Sequence, residues 1–128
     1  MSTRSRIGLE LSNSSVLSVY HHWDGYPEWL GRILNTHYNT REKVAELIDG
    51  GDMSSCWNES NEPEYYSARG ENCPPRLDDS LQEYLGDGGE EYAYVFTQKG
   101  EWVCYNMHQF DDSKLPEIVE IPSGALAV

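Results

Sequence analysis

Between Tyr20 and Pro27 the chain reads Tyr-His-His-Trp-Asp-Gly-Tyr-Pro. No other stretch constrains the fold as tightly. An extended pattern has to end here and a helical one begin. Asp24-Gly25 stops the strand: Gly25 can take a positive φ, and Asp24 can accept a local backbone hydrogen bond. Pro27 fits the first turn of a helix, where its missing N–H costs nothing, and Glu28 complements the positive end of the helix dipole.

Upstream, Ile7, Leu9 and Leu11 alternate with Gly8 and Glu10, predicting a strand over 6–11. Asn13-Ser14-Ser15 supplies a turn, and Val16 to His22 is rich in β-formers, so the two segments predict a hairpin. Downstream, Leu30, Ile33, Leu34, His37 and Tyr38 fall on one helical face, predicting a helix from Pro27 to His37 or Tyr38. Asn39 to Glu42 resembles a capping arrangement, and Val44, Leu47 and Ile48 stripe a second helix that Gly50-Gly51 terminates.

From Asp52 to Arg76 the periodicity vanishes, which predicts a long irregular loop at about 52–76. Its aromatics, Trp57, Tyr65 and Tyr66, predict that it packs on the domain. Leu77, Leu81, Tyr84 and Leu85 predict a third helix, capped by Asp78 or Asp79. The Gly86–Gly89 cluster follows a helix and is no phosphate loop, which needs a strand before it and a helix after. Tyr92 to Phe96 and Trp102 to Asn106 are the clearest strands, joined through Thr97–Gly100. A last β-like segment, Glu117 to Ile121, is expected at a sheet edge. Residues 1–128 therefore predict one α+β domain: an antiparallel sheet of about four strands, in two hairpins, with about three helices packed on one face.

Charge narrows the partners. The chain carries 9 basic and 22 acidic residues, net −13. Residues 1–45 sum to +1 and residues 46–128 to −14. A surface this acidic repels phosphate backbones, so direct nucleic-acid binding is disfavoured. It serves solubility, and it favours a protein partner with a basic surface. Three cysteines (Cys56, Cys73, Cys104), with no Cys-x-x-Cys pair, argue against a disulfide framework and a cysteine-based zinc site. No run approaches a membrane span, the first residues lack the apolar core of a secretory signal, and a cytoplasmic location is expected.

Two kinds of chemistry fit the central stretch. On a strand, His22 and Asp24 would share a face, giving a general-base pair or two metal ligands, with His37 or His108 as a third group. The usual metal-site spacings are absent, and no cofactor is implied. Nucleophilic catalysis is disfavoured, because Cys56 and Cys73 lie in acidic stretches that raise a thiol's pKa. The other reading is recognition. Tyr20, His22, Trp23, Asp24, Tyr26 and Trp29 crowd a turn too densely to be all core, and Trp and Tyr are common binding hot spots. Trp57, Tyr65 and Tyr66 could extend them into a groove. Arg69 and Arg76 can pair internally with Glu71 and with Asp78–Asp79, or clamp an anionic ligand; internal pairing is the expectation.

The chain also resembles a family of small proteins encoded by tailed bacteriophages, cyanophages among them, and by some bacteria. The shared residues begin with Arg4 or Arg6 and Ile7-Gly8, then Tyr20, His22, Trp23, Asp24, Gly25, Tyr26 and Pro27. They continue through Leu34, His37 and Tyr38, then Lys43, Val44, Leu47 and Ile48, then Gly51, Asp52, Ser54 and Ser55, and close with Glu90, Glu91, Tyr92, Tyr94 and Trp102. The resemblance covers most of 4–56 and 77–105; residues 57–76 depart from it. It implies no particular activity. It does imply a small acidic phage accessory protein that binds and modulates a host protein in the host cytoplasm. The alternatives are a small enzyme using His22 and Asp24, and an acidic nucleic-acid mimic that blocks a host or defence DNA-binding protein.

Overall fold

A computed structural model describes residues 3–57, 60–86, 90–107 and 117–122. Its strands are β1 (Ser5–Glu10), β2 (Val16–Trp23), β3 (Met53–Ser55), β4 (Glu64–Tyr65), β5 (Arg76–Asp78), β6 (Tyr92–Phe96), β7 (Trp102–Asn106) and β8 (Glu117–Val119). The helices are α1 (Arg32–His37), α2 (Arg41–Asp49) and α3 (Leu81–Gly86). A π-turn over Pro27–Gly31 leads into α1, and a 3-10 turn covers Tyr66–Arg69.

The expected four-stranded antiparallel sheet is wrong. One mixed sheet holds eight strands in the order β4-β3-β2-β1-β6-β7-β8, with β5 also beside β2. Both expected hairpins form, with Ile7 opposite Val19 in the first and Val95 opposite Val103 in the second. They then join in parallel, β1 against β6, with Ile7 opposite Tyr94. The remaining strands come from the segment read as a loop. β3 runs parallel to β2 from His21 to Trp23, and β5 runs antiparallel to it from Val16 to Ser18. At two or three residues each, β3, β4 and β5 are too short for an alternation to register. They form because the outer edge of the long β2 has N–H and C=O groups to satisfy.

The helices are not all on one face either. Ile7, Leu9, Val19, Tyr94 and Phe96 face α1 and α2, whose Ile33, Leu34, Val44, Leu47 and Ile48 complete the main core. α3 lies on the other face, packing Tyr84 and Leu85 on Val16, Ala93, Val95 and Tyr105. Leu77, expected in that helix, belongs to β5 and is 58% exposed. Ser80 provides the cap, its hydroxyl accepting from Glu83 N–H at 3.2 Å while the Glu83 carboxylate accepts from Asp79 N–H at 2.9 Å.

Smaller differences have local causes. The helix expected over 27–38 is the π-turn followed by α1, since Arg32 N–H reaches back to Pro27 O. The α2 cap is Thr40, one residue beyond Asn39, its hydroxyl accepting from Lys43 N–H at 3.3 Å. Gly51 does close this helix region with φ 88°, and it lies against the Cys73 carbonyl, where a Cβ would overlap. β8 sits at the sheet edge, as expected. Among the described residues no helix is long and apolar enough to cross a membrane.

Candidate functional site

Alternation along β2 sends neighbouring residues of the central stretch to opposite faces. His21 turns into the main core and is fully buried. Its Nε2 accepts from Cys56 N–H at 2.9 Å. The ring proton is thereby assigned to Nδ1, which donates to Ser5 Oγ at 3.2 Å. Burial, with a smaller push from His22, lowers its pKa to about 3. His21 is a neutral clamp joining β1, β2 and the chain after β3.

His22 turns to the other face. Its Nδ1 lies 2.7 Å from Tyr20 Oη. Burial first, then Tyr66, Glu90 and Glu91, raise the Tyr20 pKa against an opposing Arg4. Tyr20 is therefore a phenol, hydrogen-bonded to His22. Tyr20 N–H in turn donates to Asp52 Oδ1 at 2.8 Å, which fixes the strand where β3 and β5 leave a gap.

Trp23 ends the strand. It is 46% exposed, with its ring at 4.7 Å and nearly perpendicular to that of His22. Asp24 follows, exposed, at φ 57°. The positive φ expected of Gly25 thus falls on Asp24, and the short polar side chain tolerates it. Gly25 is needed for a different reason. A Cβ there would overlap Ser5 Oγ, while Gly25 N–H donates to Thr3 O at 2.8 Å and Gly25 O accepts from Tyr94 Oη at 2.7 Å. The turn is held from the residues preceding β1 and from β6 together.

The six expected recognition residues are therefore not equivalent. Trp23 and Asp24 are exposed; Tyr20, His22, Tyr26 and Trp29 are half-buried, and Trp29 packs on the main core. His22 and Asp24 do not share a strand face, since Asp24 lies past the end of β2, and the near neighbour of His22 Nδ1 is Tyr20. The expected groove is divided as well. Trp57 donates from Nε1 to Tyr38 Oη at 2.9 Å and packs on His37, and Tyr65 donates to Leu47 O at 2.6 Å. Both join the core margin, as packing of the 52–76 segment requires. Arg76 pairs with Asp78 at 2.9 Å, as expected. His108 and the Arg69 side chain lie outside the described residues.

Cys56 is fully buried; burial pushes its thiol up to about 12 despite a hydrogen bond with Tyr38. A thiol so held is no nucleophile at neutral pH. Among the described residues no group of three or more His, Cys, Asp or Glu side chains is placed to hold a metal ion. Asp52 and Tyr94, which hold the stretch in place, enter the sequence reading only as residues of the family resemblance, and their role is not legible there because each acts from more than 25 residues away along the chain. Comparison with protein-family models, curated proteins and solved structures gives no match.

Proposed function

We propose that this is a non-enzymatic accessory protein that binds and modulates a partner protein, with Trp23 as anchor and His22, Asp24, Tyr20, Tyr26 and Trp29 around it. The observation that carries this reading is the half-exposed Trp23 at the end of an eight-residue inner strand. Thr3 and Tyr94 hold Gly25, two residues beyond it, so little conformational freedom is lost on docking. The net charge of −13 supports a partner with a basic surface. The resemblance to phage-encoded proteins supports a host protein as that partner.

The test is affinity capture from host lysate by the tagged protein and by Trp23→Ala, washed at low and high salt. The expected result is one partner in stoichiometric amount, captured by the parent protein and lost by the variant at unchanged thermal midpoint. Equal capture by both would make Trp23 a bystander and overturn the reading. A captured DNA-binding protein that leaves at high salt would instead favour the nucleic-acid mimic. A second reading, acid–base chemistry at His22, is favoured by its 2.7 Å contact with Tyr20. It requires His22→Ala to abolish function while capture persists.

A further inference from the structure

Among the described residues, the helix packed on the second face of the sheet is the six-residue α3. α3 packs on Val16, Ala93, Val95 and Tyr105. The rest of that face carries Arg4, Arg6, Ser18, Tyr20 and His22 from β1, β2 and the residue before β1. Register places Arg6 opposite Tyr20, Gly8 opposite Ser18, and Ser18 opposite Arg76 of β5, so Arg76 belongs to the same face.

Three of the six arginines in a chain of net charge −13 thus meet on one part of one sheet face. Arg6 is central and 8% exposed. Its Nε and Nη2 donate to Ser18 Oγ at 3.1 and 3.0 Å, and Ser18 is fully buried. A guanidinium carries five N–H donors in a planar fork, and a hydroxyl offers no charge in return. Burying a cation on a neutral acceptor is costly, and a charged oxygen offsets that cost. The flanking arginines are positioned by carboxylates, Arg4 by Glu91 at 3.6 Å and Arg76 by Asp78 at 2.9 Å. Glu90 also acts here, since it shares with Arg6 and Arg76 an influence on the Tyr84 phenol. The Tyr20–His22 pair closes the side nearest β3.

We infer that this part of the second face binds a single phosphate-type oxyanion, with Arg6 at its base and Arg4 and Arg76 at its rim. Planar, two-pronged donation is the chemistry by which arginine recognises phosphate. The ligand is one phosphate group rather than a nucleic acid. The −13 field opposes a polyanion, whereas exposed charges beyond about 8 Å are largely screened from a small ion at physiological salt. The phosphate can belong to a small metabolite or to a phosphorylated side chain of a partner. This site stands apart from Trp23, and neither proposal depends on the other.

The test is titration with inorganic phosphate, a sugar monophosphate and a phosphoserine peptide, against chloride at equal ionic strength. Amide chemical shifts and the thermal midpoint are the readouts. Expected are saturable shifts at β1 and β2 and a raised midpoint. Arg6→Met is expected to weaken binding at least tenfold. If that variant does not fold, Arg4→Gln, at an exposed position, is expected to weaken it about threefold to tenfold at unchanged stability. Tighter binding of the sugar phosphate would support a metabolite, and of the peptide a modified partner. No saturable effect with any of the three probes, or equal binding by Arg4→Gln and every folded Arg6 variant, would overturn the inference.

Discussion

The two faces of the sheet divide the work of this protein. Among the described residues, the face beneath α1 and α2 contributes to a continuous apolar core of fifteen buried residues, and the face beneath α3 to one of six. On the first, the largest buried polar group, His21, is satisfied at both ring nitrogens. On the second, polar side chains lie beside the part on which α3 packs, and the buried Arg6 donates to a buried hydroxyl. The difference separates the face that carries most of the apolar packing from the face on which we propose that an anion binds. Apolar area removed from water holds the domain together on one side. The short helix on the other leaves room for chemistry.

That contrast can be broken most sharply by matched truncations. Leu34→Ala, in the larger core, should cost about 4 kcal/mol, and Leu85→Ala, in the smaller, about 2 kcal/mol, because a thinner layer collapses more readily around the deletion. Urea denaturation measures both, and equal costs would remove the asymmetry. The next effect is acid sensitivity. The folded His21 pKa is lowered to about 3 from 6.5, so its contribution is fully present above about pH 6.5. It is lost as pH falls toward 3, because the unfolded chain takes up a proton that the fold refuses. The expected slope is about 1.4 kcal/mol per pH unit below pH 6. His21→Asn should flatten it, measured as unfolding midpoints at pH 7, 6 and 5; an unchanged slope would show that His21 is not the clamp. Tyr94→Phe removes the hydroxyl that reaches Gly25 O and should cost about 1.5 kcal/mol by the same assay. Smallest is Trp23→Ala, expected within about 0.5 kcal/mol of the parent, since half of that ring contacts solvent. A large loss there would make Trp23 part of the stabilising face.

Much of the fold is legible in the sequence where a period repeats long enough to be read. β6 and β7 lie where the alternation of Tyr92–Phe96 and Trp102–Asn106 places them. The α2 stripe of Val44, Leu47 and Ile48 is likewise buried as its spacing predicts. Leu77 shows the opposite case. It continues the spacing of Leu81, Tyr84 and Leu85, yet the backbone is extended there because Arg76–Asp78 pairs with β2. The site was legible as a cluster and not as an arrangement. Density of aromatics marked Tyr20–Trp29, while which of them would be exposed depended on Asp52, Ser5 and Tyr94, all distant along the chain.

By itself the sequence determined the longer local elements, the strand-to-helix break at Asp24–Pro27, the acidity and the α1 and α2 stripes of the main core. Those follow from short-range sterics, periodicity and composition, which need no partner. Only the tertiary structure decided that the two hairpins join in parallel, that α3 takes the second face, that His21 is sealed while His22 is not, and that Arg4, Arg6 and Arg76 share one sheet face. Each of these depends on which strand edge meets which. That choice is made by hydrogen-bond groups seeking partners across the whole chain, and no window of neighbouring residues contains it.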